Sequence, residues 1–336
     1  MKHPSFVPFY ERLIPRFPGY IPGRVLVSVL PGLAFLGLHY ASAGNKAFQD
    51  WSWFLAVLIS AAMLCLYYAT HTLRTLLPEM NLRLRPAGEG VYMAPLTRIL
   101  SDRNFVLAGL FFGLLNCAIG ISFGLPYSEA PARATILIGY FLAGLVCGMG
   151  AFGIYGICVS IGAFSRNATR SFDFTAPDRC GGTQFLGDAL VIFALVTLIV
   201  GVMISVYIVE TKWTGGNAWW IVALEFFWIG FPYVMSLIAL VAPAVPINQA
   251  LRAYKIEQEV LLQDSLSEIR RKLEENHSNP AKLKDLREDY KFEQGVREDL
   301  HRMRTWPYGT SAKLNYLLGL IPNLSATLKS VATWIT

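Results

Sequence analysis

The segment Leu186–Val209, LGDALVIFALVTLIVGVMISVYIV, decides the fold of this chain. Its 24 residues include one charged side chain, Asp188, near the beginning. An α-helix rises 1.5 Å per residue, so about 20 apolar residues cross the hydrocarbon of a bilayer. The segment lacks the alternation of apolar and polar residues that a membrane β-strand shows. It therefore predicts a transmembrane helix.

Five further apolar segments have the same character, and together the six define a transmembrane domain over residues 25–246. They are Val25–Ala43, Trp51–Leu73, Phe105–Leu125, Thr135–Phe164 and Ala218–Val241. Hydrophobic residues make up 54% of the 336-residue chain and charged residues only 15%, too few for a soluble surface of this size. The predicted fold class is an all-α, polytopic membrane bundle with six transmembrane helices.

The distribution of basic residues predicts the orientation. Cytoplasmic loops retain Lys and Arg, and 26 of the 29 fall in the N-terminal arm, the second and fourth loops and the C-terminal region. Both termini are therefore expected in the cytoplasm, with the body in the plasma or inner membrane. Ala41-Ser42-Ala43 could instead be a signal-peptidase site. The 24 residues before the first apolar segment are too long and proline-rich for an ordinary signal peptide, which favours a retained helix.

Three polar regions flank or follow the bundle. Residues 1–24 contain five prolines and are expected to lie along the membrane rather than form a long helix. Residues 247–304, called the hairpin below, carry two apolar seams separated by a turn near Pro280. The first seam, Leu262, Leu266, Ile269 and Leu273, has coiled-coil spacing. The hairpin packs on itself or meets other subunits. Residues 305–336 predict amphipathic interfacial helices.

Three polar residues inside the spans are candidates for a pore or a transport path. Glu225 lies about 7 to 8 Å inside the aromatic boundary of the sixth span by helical rise. An ionisable group at that depth is a functional candidate or, alternatively, a protonated or hydrogen-bonded structural glutamate near the headgroups. Asp188 begins the fifth span, where compensation of the helix dipole is the alternative. Asn116 lies near the middle of the third span, where an interhelical hydrogen bond is the simpler role.

Small residues mark the helix surfaces that can approach closely. Gly109 with Gly113, and Gly144 with Gly148, form G-x-x-x-G pairs, which indicate tight packing or a pore-lining, hinged helix. Pro31 and the segment Gly230-Phe231-Pro232 are candidates for helix breaks near a substrate site.

The loop before the fifth span contains Pro177-Asp178-Arg179-Cys180-Gly181-Gly182. This pattern predicts a defined turn. The amides around two glycines can also cradle an anion, with Arg179 adding positive charge. The loop made by Asp178, Arg179, Gly181 and Gly182 is therefore either a cytoplasmic ligand site or the end of a structural element.

The sequence contains none of the common signatures of nucleotide, metallopeptidase or serine hydrolase chemistry. Five dispersed histidines and five cysteines without a C-x-x-C pair indicate neither a metal nor a cofactor. The basic residues form no stripe that would suit nucleic acid. We therefore expect a non-enzymatic protein.

These features leave three functions open. The sequence favours a homo-oligomeric channel with a cytoplasmic assembly or gating region. The alternative is a membrane-anchored signalling or scaffold protein that presents residues 247–304 to a cytoplasmic partner. A secondary transporter comes third. The expected partners are the lipid bilayer, further copies of the chain and possible binding proteins of the hairpin.

Overall fold

A computed structural model describes residues 20–82, 101–167, 172–211, 219–276, 280–309, 314 and 316–320. These residues are almost entirely helical, with no strand among them. Most of the N-terminal arm and most of residues 305–336 lie outside the described residues, so their predicted interfacial placement stays a prediction.

The helices follow the predicted segments closely. In chain order they are α1 Tyr20–Ala43, α2 Lys46–Gln49, α3 Ser52–Leu82, α4 Asp102–Phe123, α5 Ala130–Asn167, α6 Gln184–Thr211, α7 Trp219–Val241, α8 Ala244–Glu275 and α9 Pro280–Arg302. A short helical segment includes residues 316–320.

Six of the helices are long and apolar enough to cross a membrane, which confirms the predicted helical membrane fold. Five candidate spans lie within α1, α3, α4, α5 and α6, and the sixth begins at Ile229 in α7. At 38 residues, α5 is about 57 Å long by helical rise. It therefore extends well beyond the roughly 30 Å of hydrocarbon.

The two prolines proposed as helix breaks lie inside continuous helices. Pro31 lies within α1 and Pro232 within α7. Neighbouring helices and local adjustments tolerate such prolines in membrane helices. The chain therefore supplies no broken helix at these two positions.

Helix α3 lies at the centre of the bundle and packs against α1, α5 and α6. Around it, α4 packs closely on α5, and α6 packs closely on α7. Helices α5 and α6 make almost no direct contact, so the two pairs are separated by a crevice whose floor is α3. We call the end of the bundle from which α8 leaves the hairpin end, and the opposite end the far end.

Helices α8 and α9 lie side by side and make up most of the hairpin. Ser265 on α8 donates a hydrogen bond to Glu293 on α9 at 3.1 Å, and Glu259 lies 3.8 Å from Arg297. The numbers rise along one helix and fall along the other, so the two helices are antiparallel. Helix α8 also packs against α5, which joins the hairpin to the bundle.

Candidate functional site

The candidate site is the junction between the bundle and the hairpin. We use "junction" for three pieces of chain: the loop and helix start at residues 172–187, the first part of α8 at residues 244–255, and residues 303–308 after α9. Each piece belongs to a different part of the sequence, and their contacts determine how the hairpin is held.

The carboxylate of Asp178 organises the loop. Its Oδ1 accepts hydrogen bonds from the backbone amides of Cys180 at 2.9 Å and Gly182 at 3.0 Å. Its Oδ2 accepts one from the amide of Gln184 at 3.1 Å. Gln184 is the first residue of α6, where amides lack partners within the helix and a negative charge is favourable. Asp178 therefore holds the loop and caps α6 at once.

The backbone of this loop is unusual at three of four successive positions. Arg179, Gly181 and Gly182 have φ angles of 54°, 63° and 77°. This left-handed region suits glycine, because a side chain there meets the backbone. The two glycines thus allow the loop to fold tightly around Asp178.

The predicted ligand loop is occupied in part by the chain itself. Two backbone amides of the loop, those of Cys180 and Gly182, donate hydrogen bonds to the carboxylate of Asp178. Arg179 is exposed, and its carbonyl oxygen accepts a hydrogen bond from the amide of Arg304 at 2.7 Å. The loop therefore binds residues 303–308, and a ligand site there stays a prediction.

Polar side chains of α8 hold the segment that follows α9. The Asn248 amide nitrogen donates to the Thr305 carbonyl oxygen at 2.9 Å and lies 3.1 Å from its hydroxyl. Lys255 Nζ donates to the carbonyl oxygens of His301 at 3.0 Å and Met303 at 3.2 Å. Asn248 is buried, so the bond to Thr305 gives its side-chain amide the partner that a buried polar group needs. These bonds close the base of the hairpin.

Residues 303–308 also contact the beginning of α6 and the end of α7. The Tyr308 hydroxyl donates to the carbonyl oxygen of Leu240 in α7. Burial raises the pKa of the Tyr308 phenol above its usual value, which keeps the hydroxyl protonated as a donor. On α6, a methyl group added to Gly187 would overlap the carbonyl oxygen of Pro307. Both α6 and α7 are therefore in direct contact with residues 303–308, which follow the hairpin helices.

Apolar contacts fill the space beneath these bonds. Leu251, Leu300 and Met303 are buried in the same cluster as side chains of α3, α5 and α6. A methyl group on Gly181 would lie 2.8 Å from both Leu251 and Met303. The junction is thus continuous with the core of the bundle, so the hairpin base and the bundle pack as one unit.

The three polar candidates within the spans lie apart from one another. The side-chain amide of Asn116 on α4 donates to the carbonyl oxygen of Tyr140 on α5 at 2.8 Å, an interhelical hydrogen bond. Asp188 is exposed at the beginning of the second turn of α6. Glu225 belongs to α7, but its side chain lies outside the described residues. The structure therefore places Asn116 and Asp188 on different helices, and the role of Glu225 stays a prediction.

The predicted packing glycines lie between α4 and α5. A methyl group on Gly113 would lie 2.9 Å from Phe141, and one on Gly144 would lie 2.6 Å from the carbonyl oxygen of Phe112. Gly109 and Gly148 are similarly crowded by the opposite helix. Gly230 has open space around it, whereas Pro232 packs against Gly201 of α6. All four G-x-x-x-G glycines are thus used in packing within one chain.

Sequence reasoning missed a buried polar cluster at the far end. His39 is completely buried, with Nδ1 2.8 Å from the Thr135 hydroxyl and Nε2 2.8 Å from the Tyr127 hydroxyl. Ser42 also lies 2.8 Å from the Thr135 hydroxyl. The detectable signal was an ionisable ring inside the first apolar segment. The cluster ties α1 to the start of α5.

Within the described ranges, no group of three or more His, Cys, Asp or Glu side chains could hold a metal ion. Comparison with known proteins finds no matching family model, no similar curated protein and no similar solved structure.

Proposed function

We propose that this chain is a membrane-anchored signalling or scaffold protein whose six-helix body presents the hairpin to a cytoplasmic partner protein. The observation that carries this proposal is the junction. Residues 303–308 bind the loop before α6, the end of α7 and the first part of α8. A hairpin that served only as a flexible tail would need no such attachment.

The hairpin carries apolar side chains that its own seam does not cover. Phe292 is 72% exposed, and Ile256, Val260 and Leu261 are 53% to 64% exposed. Around them the helices are rich in charge, with ion pairs such as Lys272 to Glu268 at 2.7 Å. Ile256 and Val260 lie one helical turn apart on one face of α8, and a contiguous apolar patch surrounded by charge commonly marks a contact with another protein. These positions supply the proposed partner surface.

Site-specific photocrosslinking in the source cells tests this function. A photoreactive phenylalanine analogue replaces Phe292 in the full-length protein, and the control places it at Arg287, which is exposed on the same helix but points about 140° away. The expected result is a discrete crosslinked protein from position 292 that is absent from position 287. Identical products from both positions, or none at native expression, would contradict the proposal.

The homo-oligomeric channel stays a prediction and is the second candidate. The exposed hairpin positions would also suit a second copy of the chain, which favours assembly. Against conduction through a single protomer, the intramembrane crevice has no charged residue in its described lining. Recordings from purified protein in planar bilayers separate the two functions. Reproducible unitary conductance that disappears in Glu225→Gln would establish the channel. If the wild-type protein shows no conductance, the scaffold function remains the better supported of the two.

A further inference from the structure

The crevice between the two helix pairs is a long and narrow space inside the bundle. Helix α5 with part of α4 forms one wall, α6 and α7 form the other, and α3 forms the floor. Its volume is about 210 Å³. A helix is about 10 Å wide with its side chains. A crevice of this volume is therefore far too narrow to hold another helix along its length.

The crevice runs along the helices rather than across them. On α3 its lining extends from Leu55 to Leu73, and on α5 from Tyr140 to Ile157. At 1.5 Å per residue these stretches are about 27 Å and about 26 Å long. The hydrocarbon core of a bilayer is about 30 Å thick. The crevice therefore spans most of the hydrocarbon core, which two opposed lipid tails fill, so one extended tail fits within its length.

The lining is mainly apolar, and three of its polar side chains are already paired. No charged side chain lines the described crevice. The hydroxyl groups of Thr70 and Thr197 donate to carbonyl oxygens of their own helices at 2.9 Å and 2.8 Å. Asn116 donates to the carbonyl oxygen of Tyr140. An ion or a polar solute would gain few compensating bonds there and would lose its water.

The crevice is closed at its floor and more accessible between its walls. Leu55 and Leu58 on α3 are buried, with 2% and 3% exposure. Ile154 on α5 and Val196 and Val200 on α6 are only partly buried. In a bundle with six candidate spans, the surroundings of such an opening are lipid tails.

We propose that the crevice binds one acyl chain of a bilayer phospholipid between α5 and the α6–α7 pair. An extended hydrocarbon chain fits within the length of this space and suits its narrowness and apolar lining, and it enters from the side without crossing a polar barrier. Bound there, the chain supplies dispersion contacts that the separated walls cannot make with each other. This proposal does not depend on the partner of the hairpin.

Two glycines of α5 provide a variant and its matched control. A methyl group added to Gly150 or to Gly162 meets no atom within 4 Å. Only Gly150 lines the crevice. Gly150→Phe therefore fills the space with a ring, whereas Gly162→Phe places the same ring elsewhere on the same helix. Val200→Phe fills the crevice from the opposite wall and serves as the second test.

The assay uses full-length protein in phosphatidylcholine vesicles that contain a phosphatidylcholine with a diazirine in the middle of one acyl chain. The vesicles are dissolved in excess detergent before illumination, so that loosely associated lipid is diluted away. Peptide mapping then locates the crosslinks. A free fatty acid with the same diazirine is the parallel probe, which distinguishes a phospholipid from a detached chain.

The expected result is phospholipid crosslinking at crevice residues such as Cys147, Ile154 and Val196 in the wild type and in Gly162→Phe. Crosslinking should fall about tenfold in Gly150→Phe and Val200→Phe, a change equivalent to a tenfold weaker affinity. Equal labelling of all four proteins, labelling only by the free fatty acid, or crosslinks confined to exposed positions such as Phe111 would overturn the proposal. The wild-type crosslink map decides the question if both filling variants fail to fold.

Discussion

Replacing Asp178 with alanine should loosen the loop before α6 and its contact with residues 303–308. The substitution removes an acceptor of three backbone hydrogen bonds, those from the amides of Cys180, Gly182 and Gln184. A hydrogen bond to a charged group contributes about 1.5–3 kcal/mol. Because Asp178 is only partly buried, water compensates for part of the three lost hydrogen bonds. We therefore expect the free energy of local opening to fall by about 3 kcal/mol.

Hydrogen exchange measures that opening directly. A loss of about 3 kcal/mol corresponds to roughly a hundredfold faster exchange of the affected amides, since 1.4 kcal/mol is a factor of ten. The faster exchange should cover the loop amides and the amide of Arg304, which donates to the Arg179 carbonyl oxygen. Asp178→Asn should lie between the wild type and Asp178→Ala, because it keeps one acceptor oxygen but loses the charge.

Asp173 provides a matched control in the same loop. Its carboxylate accepts bonds from the amide and hydroxyl of Thr175 at 2.8 Å and 2.6 Å, in an exposed turn. Asp173→Ala should therefore alter exchange only near Thr175. The reasoning is refuted if Asp178→Ala leaves the exchange of Cys180 to Gln184 unchanged, or if Asp173→Ala loosens the junction equally.

Two further predictions concern contacts at opposite ends of the bundle. Gly187→Ala should separate α6 from residues 303–308, because the added methyl group overlaps the backbone of Pro307; proteolysis between α9 and residue 309 should become faster, and a wild-type digestion rate would contradict the geometry. His39→Phe should destabilise the far end by about 2–3 kcal/mol, since it leaves the hydroxyl groups of Tyr127 and Thr135 without their ring partner. A lower melting temperature in detergent is the measurement, and an unchanged one would show that the cluster contributes little.

The elements of the fold were largely readable from the sequence. The fifth span was predicted as Leu186–Val209 and is Gln184–Thr211 in the structure. The hairpin was predicted over residues 247–304 with a turn near Pro280, and its two helices are Ala244–Glu275 and Pro280–Arg302. Long apolar runs and apolar seams are patterns of the local sequence. They can therefore be recognised without knowing which helices pack against each other.

The candidate site was readable only in fragments. The turn around Asp178 followed from its proline, aspartate and glycine residues, but its binding to Arg304 joins positions more than 120 residues apart. Asn248 and Tyr308 looked like ordinary polar residues of a helix and a loop. Their importance depends on the approach of residues 303–308 to α7 and α8, which no local pattern encodes.

The sequence by itself determined that this chain forms six long apolar helices followed by a charged helical pair, because the cost of unpaired backbone groups in hydrocarbon forces each run into a helix. The tertiary structure alone decided that the glycine faces join α4 to α5 and that the hairpin base is locked to α6 and α7. It also separated α5 from α6 by a crevice. These outcomes depend on which helix faces meet, and in a bilayer that choice rests on close packing and individual hydrogen bonds rather than on hydrophobicity, which is similar on every face.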